Sequence, residues 1–241
     1  MKAYGRFIAR GELCEGYFDV SSGSLNFDGI EFPLNGVKFL PPVEPSKIVC
    51  VGLNYIDHAR ELNMEIPEEP VIFMKPSTAI IGHEDFIELP PQSSRVDYEG
   101  ELAVVIGRKC RNVSSEEAYD YVMGYTCFND VTARDLQQKD GQWTRSKSFD
   151  TFAPIGPYVV SLSPSNLKIE TRLNGKTVQS STTSNLIFDV PKLIEFISSI
   201  MTLKKHDVIA TGTPAGVGKL NSGDVVEIEI EGIGVLRNYV R

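Results

Sequence analysis

Short runs of alternating apolar and polar residues open the chain. Residues 4–9, 16–19 and 34–39, broken by Gly and Ser and by a turn signal at Ser21-Ser22-Gly23, predict a small β meander. Pro41-Pro42 and Pro45 form a stiff junction, and the pattern changes after it. This places a boundary near residue 45, between a small N-terminal β subdomain (1–45) and a larger unit (46–241). In the larger unit, residues 48–51 are an unbroken apolar strand, and Asn54 is placed to cap a helix from Tyr55 to about Asn63, which Pro67 and Pro70 terminate. Residues 102–106 are apolar without alternation, as in a strand buried on both faces. A capping box, Ser114-x-x-Glu117, opens a helix through Tyr121, followed by a strand at 124–128 and a helix from about Val131 to Lys139. Asn174-Gly175, between 167–173 and 177–180, marks a hairpin, and a second hairpin (225–230 with 235–240) turns at Gly232-Ile233-Gly234. Pro191 starts the longest amphipathic helix, with Val190, Leu193, Ile194, Ile197 and Met201 on one face. Strands therefore outnumber helices, and many pair antiparallel.

At 241 residues the chain is long enough for one large domain or one domain with a small appendage, and its apolar content of 41% is ordinary for a soluble globular protein. A net charge of −8, with no window rich in Lys and Arg, argues against nucleic acid as a partner. Cys14, Cys50, Cys110 and Cys127 form neither a CxxC pair nor a framework and read as reduced core residues of an intracellular protein. The N-terminus lacks an apolar leader, and no run approaches the ~18 apolar residues of a membrane helix, so the expected location is the cytoplasm, without a membrane partner.

Most of the chemistry lies in Asp97-Tyr98-Glu99-Gly100-Glu101, which continues into the buried run. Alternate residues of a strand share a face, so Asp97, Glu99 and Glu101 would cluster. Acids on the solvent face of a strand need no explanation, but in a strand covered on both sides a cation is their simplest company. An all-oxygen set suits Mg²⁺, Mn²⁺ or Ca²⁺ better than Zn²⁺. His58 and Glu61 meet on one helical face, either as an ordinary exposed pair or as a carboxylate-oriented imidazole fit to act as a base. Asp130 stands at a strand-to-helix corner, with Arg134 and Gln137 along the same helical face. That is either a capped, solvated helix or a third acid for the cation beside two groups for a substrate carboxylate or carbonyl. Lys75 interrupts an apolar strand and is expected to be a buried charge serving the substrate, whereas Lys147 follows Trp143 in a loop, where a lysine is ordinarily solvated. His83 and His206 read as loop residues. The 211–218 loop offers backbone amides to an anion, but it is neither a P-loop nor a dinucleotide fingerprint.

Gly52-Leu53-Asn54-Tyr55 through His58 and Glu61, Met74-Lys75-Pro76, Asp97 to Ala103, Asn129-Asp130 with Thr132-Ala133-Arg134-Asp135, Lys147-Ser148-Phe149-Asp150 and Thr211-Gly212-Thr213-Pro214 follow one another in this order. Together they closely resemble the fumarylacetoacetate hydrolase superfamily, specifically its smaller acylpyruvase-like members, over about residues 46–241. The resemblance implies an α+β, mostly β fold: a mixed β-roll of the C-terminal type of that family with a small N-terminal β subdomain. It implies a divalent metal, Mg²⁺ first, held by Glu99, Glu101 and Asp130. His58 and Glu61 would form a general-base dyad on a segment that orders over bound substrate, and Lys147 would stabilise enolate or oxyanion charge. Arg134 and Gln137 would contact the substrate, and Thr213 would bind its carboxylate. Family members are typically homodimers. Larger members carry a further metal-binding aspartate before the equivalent of His58, where this chain has Asn54; that departure favours the three-carboxylate subgroup over fumarylacetoacetate as substrate.

The activity expected from these parts is metal-dependent hydrolysis of a C–C bond in a small β-diketo acid of the acylpyruvate or fumarylpyruvate type, by dyad-activated water, with a small 2-oxo acid as the partner. The same site supports decarboxylation of oxaloacetate-like acids, or tautomerisation and isomerisation of unsaturated 2-oxo acids of the 2-hydroxyhepta-2,4-diene-1,7-dioate type. A non-catalytic metal-dependent binder of oxo acids and a purely structural metal are the remaining readings.

Overall fold

The computed structural model describes residues 1–61 and 63–241. It is an α+β fold, mostly β, as the resemblance implies. The largest sheet runs, in spatial order, through Ile30–Pro33, Ser24–Phe27, Glu12–Ser21, Lys2–Ala9, Ala153–Val160, Val122–Asn129, Gly100–Ile106, Val208–Ala210, Ile48–Gly52 and Val71–Lys75. A second sheet orders Lys176–Thr182, Lys168–Leu173, Val225–Ile230, Gly234–Val240 and Phe86–Ile87, and a small third one joins Thr132–Ala133, Val96–Tyr98 and Gly218–Lys219. The sheets are mixed: Val208–Ala210 runs parallel to Ile48–Gly52, and Gly234–Val240 parallel to Phe86–Ile87. Both hairpins form where Asn174-Gly175 and Gly232-Ile233-Gly234 place them.

The N-terminal meander continues the large sheet through Ala3↔Val160 and Tyr4↔Val159. Two of its strands, Ser24–Phe27 and Ile30–Pro33, are too short for alternation to reveal, and residues 34–36 form a 3₁₀ turn, so only Val37–Phe39 of the predicted third strand is extended. Its apolar side is an aromatic cluster in which the Phe7 ring meets Phe18 at 5.4 Å and Phe27 at 5.5 Å, both edge-on.

The helices are short except Val190–Ile200, which Asp189 caps by accepting from Lys192 N–H at 3.0 Å and which buries Val190, Leu193, Ile194 and Ile197. The capping box at Ser114 closes side chain to side chain on Glu117, and the segment it opens, Ser115–Tyr121, is 3₁₀ rather than α. The helix expected from Val131 starts later, at Arg134, because Thr132–Ala133 is drawn into pairing with Val96 and Asp97. The His58 helix spans Ile56–Glu61; Leu62, within the predicted span, lies outside the described residues. Asn54 does not cap this helix: its side chain donates to Phe188 O and Thr211 O and accepts from Phe188 N–H. No described helix is long and apolar enough to cross a membrane.

Strand directions explain why chemistry gathers at one end of the large sheet. Ala103 lies opposite Ala210, and Ala210 runs parallel beside Cys50, so the start of Gly100–Ile106 and the ends of Val208–Ala210 and Ile48–Gly52 point the same way. Gly100 pairs with Asn129, which brings the end of Val122–Asn129 to the same place. The two carboxylates around Gly100, Asp130, the 211–218 loop and the His58 helix therefore all emerge there.

Candidate active site

At that end a cavity of about 300 Å³ is lined by His58, Glu99, Glu101, Asp130, Arg134, Gln137, Lys147 and Thr213, with an apolar wall that includes Phe73 and Trp143. Carboxylate oxygens of Glu99, Glu101 and Asp130 lie within 4.8 Å of one another, and all three residues are buried. The strand register creates the cluster: Glu99 O accepts from Asp130 N–H at 2.9 Å, so the third acid is tied to the backbone of the first.

Two buried cations and one half-buried cation face these acids. Lys147 Nζ donates to Asp130 Oδ2 at 2.6 Å and to Glu99 Oε2 at 3.0 Å, Arg134 pairs with Glu99, and Lys75 pairs with Asp130. Burial alone would raise the Glu99 carboxyl, but the charges and hydrogen bonds of Lys147 and Arg134 win and hold it down to about 2. Burial also disfavours the Lys147 ammonium, yet Asp130 and Glu99 raise it above the ordinary lysine range, so it stays charged. Glu101 differs. Burial and the charges of Asp130 and Glu99 push its carboxyl well above the usual range, against one hydrogen bond from Gly212 N–H at 2.8 Å. The three acids could hold a dication, which would supply the positive charge that Glu101 lacks, and hard, oxygen-only donors fit Mg²⁺ or Mn²⁺.

The dyad forms. His58 Nδ1 lies 3.0 Å from Glu61 Oε2, which assigns the proton on Nδ1 to that bond and leaves Nε2 for other chemistry. Glu61 in turn accepts from Gly216 N–H at 3.1 and 3.2 Å. The amides of the 211–218 loop thus serve the protein's own carboxylates, Glu101 through Gly212 and Glu61 through Gly216, rather than an external anion.

Several expectations need correction. Asp97 does not share the site of Glu99 and Glu101, because the chain leaves the small sheet at Tyr98 and enters the large one at Gly100; Asp97 instead accepts from Arg95 Nε at 3.0 Å and Arg134 Nε at 2.9 Å. Asp130 precedes the helix, so it shares no helical face with Arg134 and Gln137, which bond to each other at 2.6 Å. Arg134 lines the cavity with its guanidinium already engaged by Asp97, Glu99 and Gln137. Lys75 is not a lining residue: it is 1% exposed, and its ammonium is spent on Asp130 and on Val131 O at 2.9 Å. Lys147, for which loop context suggested solvent and only the resemblance a role, is 2% exposed and lines the cavity. Thr213 lines the cavity, but its hydroxyl donates to Gly100 O at 3.0 Å. Sequence reasoning missed Trp143 and Phe73, whose rings meet edge-on at 5.2 Å, and Gln179; no spacing rule singles out an aromatic wall or a buried amide. Cys50, Cys110 and Cys127 are buried and Cys14 partly so, all unpaired.

Known proteins share this architecture. Oxaloacetate tautomerase YisK of Bacillus subtilis (strain 168) is 48% identical over 225 residues, covering 87% of this chain and 75% of the relative. A crystal structure of 5-carboxymethyl-2-hydroxymuconate delta-isomerase from Mycobacterium smegmatis superposes with a TM-score of 0.92 at 45% identity, covering 100% of this chain and 98% of that one. Fumarylpyruvate hydrolase from Pseudomonas aeruginosa, solved with Mn²⁺ and pyruvate, gives 0.77 at 33% identity over 83% of this chain and 90% of its own. The family model for the fumarylacetoacetate (FAA) hydrolase C-terminal domain matches residues 47–241, the span in which every residue lining the cavity lies, and the chain belongs to the fumarylacetoacetate hydrolase superfamily.

Proposed function

We propose that this protein is a divalent-metal-dependent enzyme that moves a proton on a small 2-oxo dicarboxylic acid of the oxaloacetate type, interconverting its enol and keto forms. The observation that carries this is the His58 imidazole, oriented by Glu61 and facing the cavity that the three-carboxylate cluster also lines. The printed activities of the Bacillus subtilis tautomerase and the Mycobacterium smegmatis isomerase, both well over a third identical, support the reaction class.

Glu99, Glu101 and Asp130 would hold the ion, Mg²⁺ by expectation. When bound, it supplies a Lewis acid that polarises the 2-oxo and carboxylate oxygens and so acidifies the neighbouring C–H. His58 Nε2 takes the proton from that carbon or returns it, the enol oxygen exchanges its own proton with solvent in the same interconversion, and the Glu61 carboxylate stabilises the imidazolium in between. The Lys147 ammonium keeps a fixed positive charge beside the oxygen on which negative charge develops. Gln137, which lines the cavity, orients the substrate, and the Phe73–Trp143 wall excludes water from one side.

Hydrolysis of an acylpyruvate or fumarylpyruvate is the second reading. A specific observation favours it: an imidazole held at 3.0 Å by a carboxylate is also the geometry that activates water, and a fumarylpyruvate hydrolase is among the structural relatives. The deciding experiment refills chelator-stripped protein with Mg²⁺ or Mn²⁺ and follows enol-oxaloacetate, acetylpyruvate and fumarylpyruvate, with products identified by mass. Faster, mass-neutral loss of the enol supports the proposal. Release of pyruvate from the acylpyruvates moves the protein to the second reading, CO₂ from oxaloacetate to decarboxylation, and no metal-dependent change rejects both readings.

A further inference from the structure

Gln179, on the strand Lys176–Thr182, is 2% exposed and has its whole amide in use. Its Oε1 accepts from Gly100 N–H at 3.0 Å, and its Nε2 donates to Thr213 Oγ1 at 2.9 Å and to Pro214 O at 2.8 Å. Thr213 Oγ1 donates to Gly100 O at 3.0 Å, which closes a ring of hydrogen bonds among the three residues. Gly100 is the residue between Glu99 and Glu101, so the acceptor end of Gln179 fixes the backbone from which both carboxylates project. The donor end fixes the loop whose Gly216 N–H holds Glu61, two residues beyond Pro214.

The close fit around this ring shows that the contacts are built in. A Cβ at Gly100 would stand 2.1 Å from Thr171 Oγ1, and one at Gly216, where φ is +97°, would stand 2.2 Å from Val178 O. Two residues along the same strand, Ser181 donates to Asp57 Oδ2 at 2.6 Å, while Asp57 Oδ1 accepts from His58 N–H at 2.8 Å. One strand of the second sheet therefore touches both halves of the site.

We propose that Gln179 is a positioning residue that couples the cation site to the proton-transfer dyad: its acceptor end sets Glu99 and Glu101, and its donor end sets Glu61 through the 213–216 loop. This rests on the functional reading above, in which those groups hold the ion and move the proton. Because the two ends do different work, two variants separate them. Gln179→Met removes both ends at similar volume, whereas Gln179→Glu keeps the acceptor for Gly100 and loses both donor bonds, to Thr213 Oγ1 and to Pro214 O.

The test is Mn²⁺ titration of chelator-stripped protein, hydrogen exchange at the Gly100 and Gly216 amides, and kcat for enol-oxaloacetate conversion. Gln179→Met weakens Mn²⁺ binding about tenfold or more, speeds exchange at both amides and lowers kcat by a similar factor. Gln179→Glu restores Mn²⁺ affinity and Gly100 protection while Gly216 exchange stays fast and kcat stays low. A structural role alone does not produce this split. Equal losses in both variants, or a fall in melting temperature with affinity and exchange unchanged, overturn the proposal. Should Gln179→Met fail to fold, slow exchange at Gly216 in Gln179→Glu does so by itself. If the wild-type protein turns over no oxo acid, the functional reading fails while the affinity and exchange measurements still judge the coupling.

Discussion

Two regions joined by the large sheet each bury a cluster of side chains and are opposite in energetics. The N-terminal meander buries Leu25 and packs Phe7 edge-on against Phe18 and Phe39, and every square ångström removed from water there favours the fold. The start of Gly100–Ile106 buries Glu99, Glu101 and Asp130 against Lys75, Lys147 and Arg134, and taking such charges out of water costs about what their mutual attraction returns. Burial at the first site is stability; at the second it is a held arrangement of charge that the rest of the molecule must support. Glu101 is the acid with the least compensation, its carboxyl pushed up by burial and by the charges of Asp130 and Glu99.

His58→Ala should produce the largest effect. Loss of the general base is expected to lower turnover by about 10²–10⁴-fold, with the melting temperature and Mn²⁺ affinity held; steady-state kinetics with calorimetry checks this, and a small kinetic effect breaks the dyad assignment. Phe7→Ala, at the other region, should cost about 3–5 kcal/mol in denaturant unfolding while kcat of the folded protein stays at the wild-type value. A parallel loss of kcat would show that the two regions are not independent.

Glu101→Gln sharpens the contrast by giving opposite signs in one variant. Mn²⁺ affinity should fall by at least about tenfold. The metal-free protein should melt higher, because an amide keeps the Gly212 N–H bond without a buried like charge. The smallest effect concerns pH. Burial raises the Asp207 carboxyl, but Lys204 N–H, the Lys47 ammonium and the Ser46 hydroxyl outweigh it and hold it below the ordinary aspartate range. Since the folded value is the lower one, its contribution is present above the unfolded value and is lost as pH falls through the folded value. Asp207→Asn should therefore lower stability by about 1–2 kcal/mol at neutral pH and flatten the acid limb of a stability-versus-pH curve. An unchanged acid limb removes Asp207 from that account.

The sequence made some parts of the molecule legible and hid others for physical reasons. Local rules sufficed where local bonds decide: the Asn174-Gly175 hairpin and the helix of Pro191 lie where turn chemistry and periodicity put them. They failed where a distant partner decides. Thr132-Ala133 looked helical and is drawn into a sheet by Val96, and Asn54 looked like a cap yet bolts the His58 segment to Phe188 and Thr211. Loop context alone left Lys147 in solvent, and only the family resemblance gave it a role, because nothing in its neighbourhood shows Glu99 and Asp130 waiting 48 and 17 residues upstream.

What the sequence determined by itself was the inventory: which acids, which imidazole, which glycines, and the family order in which they occur. What only the tertiary structure decided was the assortment: Asp97 to an arginine clamp, Glu99 and Glu101 to the cavity, Lys75 behind Asp130, and Gln179 between the two halves of the site. The reason is that side-chain type and period are local properties of the chain. Which sheet a strand joins, and so which of two neighbouring carboxylates meets the cavity, is fixed by hydrogen bonds between residues far apart in sequence.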